Sequence, residues 1–131
     1  MRYLSRLAAL LALALGGWLL FDGSRAFLAG DYVTPSSGAY AGQLGPWAGV
    51  VSHVGLDPRS TLVKGIHMAL GSLWLVSAYR FLREKPKAGW ALVACAFASL
   101  WYVPFGTIIG VLELILLFLY ARRSPGSPLF E

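Results

Sequence analysis

The sequence predicts an all-α fold, a bundle of four transmembrane helices with a short amphipathic outer helix between the first and second. Three observations lead there. The 131 residues are 57% hydrophobic and 13% charged, against about 25% charged in an average soluble domain. Long apolar runs recur along the chain, separated by polar or proline-containing segments. The basic residues gather at the ends of those runs, the pattern of a multi-pass membrane protein. A chain of 131 residues allows one domain, here residues 1–131.

The first span is predicted over 3–21, with Arg6 snorkelling to the surface so that the uncharged stretch 7–21 lies in lipid. Ala8, Ala12 and Gly16 recur every four residues and mark a face suited to close helix contact. A cleavable signal peptide is the competing reading of the same stretch, with Ser24 and Ala26 as its small residues.

The outer segment, 22–57, is Gly-rich and mostly polar, and Thr34-Pro35-Ser36-Ser37-Gly38 marks a turn. Within it Trp47, Val50, Val51 and Val54 share one helical face, bracketed by Gly45-Pro46 and Gly55. Such a helix either lies in the outer interface or caps the bundle. The second span, 58–82, opens with Asp57 as N-cap and Pro58 at the first helical position. A basic loop, Arg83 to Lys87, leads to a third span, 87–102, with Ala91, Cys95 and Ser99 as its small-residue stripe. Trp101 and Tyr102 are placed in an interfacial aromatic belt. Pro104 turns the chain into the fourth span, 104–121, and 124–131 form a short tail.

With both termini inside, eight of the eleven basic residues fall on the inner side. Arg25, Arg59 and Lys64 stay outside, offset by Asp22, Asp31 and Asp57. The reverse threading inverts this ratio and breaks the positive-inside rule. The net charge of +5 is therefore distributed by topology. No basic groove with interleaved aromatics exists for nucleic acid. Cys95, the only cysteine, reads as a small buried hydrophobe. No metal-ligand spacing or cofactor motif is present.

Three ionisable residues fall within apolar segments: Lys64 and His67 on the second span, Glu113 on the fourth. Each charge at mid-membrane costs about 2.5–3.5 kcal/mol, so such groups face the protein interior and find partners. His67 and Glu113 each lie nine residues past a proline, Pro58 or Pro104. Equal offsets on parallel helices predict equal depth, about 14 Å below the outer ends. Gly106 and Gly110 form a contact stripe that Glu113 continues, and His67 shares its face with Gly71 and Ala78. The pattern predicts a polar pair of Glu113 with His67 or Lys64. It would be either a structural staple or a site that handles a proton or ligand; alternatively Glu113 stands alone in its neutral form. His53 is placed on the solvated face of the outer helix, and a metal site built from His53, His67 and Glu113 would require that helix to fold onto the bundle.

The stretch Leu100-Trp101-Tyr102-Val103-Pro104-Phe105-Gly106-Thr107-Ile108-Ile109-Gly110 resembles the ending of small uncharacterised bacterial membrane proteins, in which a Pro-Phe-Gly-Thr element opens the last helix. The resemblance implies a four-helix protein of the bacterial cytoplasmic membrane and brings no catalytic residue. The chain is also similar in size and helix number to the small multidrug transporters. Their membrane-embedded carboxylate is on the first helix, whereas Glu113 is on the fourth.

These observations point first to a non-enzymatic membrane protein, an accessory or assembly component in the lipid bilayer. Its small-residue stripes would support a homo-oligomer or larger complex. A proton-coupled transporter using Glu113 is the alternative. An intramembrane acid–base enzyme using His67 and Glu113 lacks an accompanying nucleophile.

Overall fold

Glycine and alanine decide where the helices of this chain meet. The computed structural model describes residues 2–131, and these form five α-helices and no strand. In chain order they are α1 (Arg2–Ala29), α2 (Trp47–His53), α3 (Thr61–Leu82), α4 (Ala88–Ala98) and α5 (Phe105–Arg123), followed by a 3-10 turn, Pro128–Phe130. Helices α1, α3 and α5 are long and apolar enough to cross a membrane.

Four helices close a ring in which α1 touches α3 and α5, and α4 touches the same two from the other side. Thus α3 and α5 stand on one diagonal, α1 and α4 on the other. The most extensive contact is α1 on α3. A Cβ on Gly16 would lie 2.6 Å from Trp74 Cβ, and one on Gly71 2.5 Å from the Leu20 nitrogen. Gly23 approaches the His67 Cβ in the same way, at 2.7 Å. Across the ring, Gly106 abuts Ser99 and Tyr102, and a Cβ on Gly110 would lie 2.9 Å from the Ala96 carbonyl. Ala8 and Ala12 are buried beside Leu15 and Leu19. The predicted stripes are therefore used within one chain, which removes them as the warrant for self-association. Outward, the long helices present Leu10, Phe21, Leu73, Val76, Ile108 and Phe118, all well exposed. Such an apolar exterior suits hydrocarbon rather than water.

Several boundaries differ from the sequence reading. Helix α1 runs eight residues past Phe21. It does so because Asp22, only 3% exposed, accepts a hydrogen bond from the Val33 amide at 2.6 Å, so the chain folding back solvates it. Helix α3 starts at Thr61. Its N-cap is Ser60, whose Oγ accepts from the Val63 amide, while Asp57 instead accepts from the Arg59 amide in the preceding turn. Helix α4 stops at Ala98, four residues early. The Trp74 indole donates to Ser99 Oγ at 2.8 Å, and successive turns reverse the chain between Ala96 and Tyr102. Eleven residues span only about 16 Å. The tail is folded: Leu129 is buried, the Phe130 carbonyl accepts from the Trp90 indole at 2.9 Å, and the Lys87 amide donates to Pro128.

The outer segment is tied down rather than loose. Tyr32 donates its hydroxyl to the Pro58 carbonyl at 2.8 Å, and Arg25 donates to the Asp31 and Tyr32 carbonyls at 2.7 and 2.9 Å. Arg59 forms an ion pair with Asp31 at 3.0 Å and also donates to the Gly42 carbonyl. Burial pushes the Tyr32 hydroxyl up, which keeps it a neutral donor. The Arg59 hydrogen bond holds the Asp31 carboxyl below its ordinary range.

Two outcomes follow from these contacts. Gly71→Ala forces α1 and α3 apart and is expected to lower stability by about 1–3 kcal/mol. Gly17→Ala, where a Cβ meets nothing within 4 Å, is expected to be neutral or stabilising. Denaturant unfolding in mild detergent separates the two, and equal effects would refute the close crossing. For Asp31, a lowered folded-state value means stabilisation is fully present above the unfolded value of about 3.9 and is lost as pH falls through the lowered one. The pair is well exposed, so Asp31→Asn is expected to cost less than about 1 kcal/mol near neutral pH. That difference should shrink as pH falls below the unfolded value, as read from unfolding midpoints at neutral and acidic pH.

Candidate functional site

The buried polar side chains separate into two sites at different levels. His67 belongs to the end of the bundle where α2 lies. It sits two turns into α3, on the buried face with Val63, Leu70, Gly71 and Trp74, and is 0% exposed. Its Nδ1–H donates to the Val63 carbonyl at 2.9 Å, one turn back. A carbonyl can only accept, so this bond places a proton on Nδ1. Nε2 has no hydrogen-bond partner.

Four aromatic rings surround the imidazole. Trp47 lies 4.7 Å away between centroids, Tyr32 4.9 Å, and Trp101 and Tyr102 each 5.5 Å. Three of these contacts are edge-to-face, the arrangement favoured by ring quadrupoles. The four rings arrive by three routes. Tyr32 comes from the chain after α1, Trp47 is the first residue of α2, and Trp101 and Tyr102 come from the reversal between α4 and α5. Helix α2 therefore caps the bundle. Trp47 and Val51 are buried beneath it, while Val54 and His53 face outward. Tyr102, predicted for an interfacial aromatic belt, turns inward instead and accepts a hydrogen bond from the Trp18 indole at 2.9 Å. Trp101 is half-buried against the same box.

Glu113 belongs to the middle of the bundle. It follows Gly106 and Gly110 on the buried stripe of α5 and is 0% exposed. It lies within electrostatic reach of Cys95 on α4, whose thiol is 3.8 Å from Ser77 Oγ on α3. Neither carboxyl oxygen has a hydrogen-bond partner.

The predicted pairing does not form: no hydrogen bond or ion pair joins Glu113 to His67 or to Lys64. Two physical reasons account for this. First, α3 and α5 stand on a diagonal rather than side by side. Second, Pro58 and Pro104 are not level starting points. His67 touches Tyr102, which precedes α5, whereas Glu113 lies about two turns into that helix. Lys64 extends outward and donates to the Gly30 carbonyl at 3.3 Å. No group of three or more His, Cys, Asp or Glu side chains among the described residues is arranged to hold a metal ion. The rings around His67 escaped the sequence reading because they come from three separate segments. The Trp47 stripe, read as either interface or cap, was the one signal for them.

Both sites yield stability tests. His67→Phe keeps the box filled and removes the unpartnered nitrogen, so stability should change by less than about 1.5 kcal/mol. His67→Ala leaves a cavity and should cost about 3 kcal/mol or more. Equal loss in both variants would mean that the imidazole itself, not its volume, holds the outer end. Glu113→Met removes two unpaired buried oxygens and is expected to stabilise the bundle by about 1–3 kcal/mol, measured by the same unfolding assay.

No protein-family model matches this chain, and neither a curated protein nor a solved structure shows significant similarity to it.

Proposed function

We propose that the chain is a non-enzymatic, multi-pass membrane protein with both termini inside, acting as an accessory or assembly component of a cytoplasmic membrane. The observation that carries this reading is the closed interior. None of five clefts around the bundle is lined by His67 or Glu113. A carrier needs its coupling carboxyl to meet solute from one side and then the other, and here the outer end is roofed by α2 and the Tyr32 segment.

The fourth pass is α4. It connects the inner end of α3 to the outer start of α5, and its contacts run antiparallel to both: Gly89 meets the C-terminal turn, while Ser99 meets Gly106. Helix α1 counts as a permanent pass because it supplies the surface on which α3 packs. The basic residues at the inner ends support the orientation. The partner on this reading is the bilayer itself together with a larger membrane assembly.

Single cysteines in a Cys95→Ala background test the threading. A thiol at His53 should react with an impermeant maleimide added outside intact cells, and one at Arg122 should react only after lysis. Mass spectrometry of the purified protein should find α1 retained. Reversed labelling, or a mature chain lacking α1, would overturn the proposal.

The partnerless oxygens of Glu113 favour a second reading, a small proton-coupled transporter. On that reading Glu113→Gln abolishes solute-driven proton flux in liposomes, and flux that persists unchanged disposes of it.

A further inference from the structure

A cleft with a volume of about 410 Å³ opens at the outer end, beside the His67 box. It is walled by Trp18, Tyr32, Trp47, Tyr102 and Phe105, and one acidic side chain, Asp22, reaches it. Asp22 is 3% exposed, and its sole hydrogen bond is Oδ1 accepting from Val33. It has no ion-pair partner among the described residues. Arg25, the nearest cation in sequence, is turned away to the carbonyls of Asp31 and Tyr32. A carboxylate set among indole and phenol rings is the chemistry that recognises an alkylated ammonium, through ring faces and charge together.

A second cleft continues from the first. It has a volume of about 360 Å³, follows the seam between α1 and α5, and is lined by Ala14, Leu15, Trp18, Phe105 and Ile109. Trp18 and Phe105 belong to both clefts. The seam carries no charged side chain and runs from the outer end towards mid-membrane. The two spaces therefore have the form of a head site and a tail track joined at a shared pair of rings. Trp18 is held as the divider by its hydrogen bond to the Tyr102 hydroxyl.

We infer that this composite cleft binds an amphiphilic cation, with its ammonium head against Asp22 and the aromatic wall and its alkyl chain along the α1/α5 seam. Such a head occurs on free alkylammonium compounds and on membrane lipids with choline or ethanolamine headgroups. The inference rests on the membrane reading only for the lipid beside the tail. Head recognition depends on the cleft alone, so a failure of either idea is recognisable separately.

The test is a titration of the full-length protein in a neutral detergent with decyltrimethylammonium, followed through the fluorescence of the tryptophans, two of which line the head site. Saturable binding is expected. Tetramethylammonium, which lacks the tail, and decyl maltoside, which lacks the charge, should each bind at least about tenfold more weakly. Asp22→Asn keeps an acceptor for the Val33 amide and should weaken binding by about tenfold or more. Phe105→Ala alters a side chain that is 63% exposed, spares the core, and should weaken binding about fivefold. Binding equally strong in both variants, or equal binding of decyl maltoside, overturns the inference. Competition by phosphatidylcholine but not phosphatidylglycerol in mixed micelles would identify the source as a membrane lipid. Decyltrimethylammonium binding indifferent to both lipids would identify a free amphiphile.

Discussion

The close crossing of α1 and α3 is the constraint on which the remaining architecture depends. Gly16, Gly23 and Gly71 let the two backbones approach until side chain meets main chain. At this separation Trp74 is driven inward to meet Ser99, and that bond coincides with the end of α4. The early end of α4 in turn places Trp101 and Tyr102 over His67. In a bilayer, where lipid tails compete with side chains on equal terms, such shape-matched contact is the main attraction available between helices. Three residues without side chains thus set the positions of the largest side chains in the molecule.

The two buried ionisable residues sit differently with respect to this frame. His67 is held by a hydrogen bond within its own helix and by rings on every side, so its position is overdetermined. Glu113 is held only by the stripe on which it lies. Cys95, within electrostatic reach of it, engages Ser77 instead. The bundle therefore has a ring-packed end around His67 and a middle layer in which the Glu113 carboxyl lacks a polar partner. Buried polar atoms are normally partnered, so the Glu113 oxygens, like His67 Nε2, are exceptions to the packing of the rest.

Much of the bundle was legible in the sequence because apolar periodicity and small-residue spacing are local signals. Ala8, Ala12, Gly16, Gly106 and Gly110 are all at helix contacts. The misreadings share one cause: contacts between distant segments. Asp22 reads as the start of the outer segment until α1 runs on to Ala29 and Val33 folds back on it. Pro58 reads as a helix start until Asp57 uses its side chain in a turn and Ser60 takes the cap. Counting depth from two prolines assumed a common reference plane, which the offset between α3 and α5 removes. The aromatic box could not be read locally, since its members lie at 32, 47, 101 and 102.

The unequal lengths of α1 and α4 carry a consequence for the surrounding lipid. They stand on opposite corners, one about 42 Å long and the other about 16 Å. On the proposed four-pass threading, a bilayer of uniform thickness cannot match both. Acyl chains next to the short corner must shorten or splay while those at the tall corner stretch or the molecule leans. On that threading the protein would impose a thickness gradient around its own perimeter and settle most readily where the membrane is already thinned, curved or bounded by another protein.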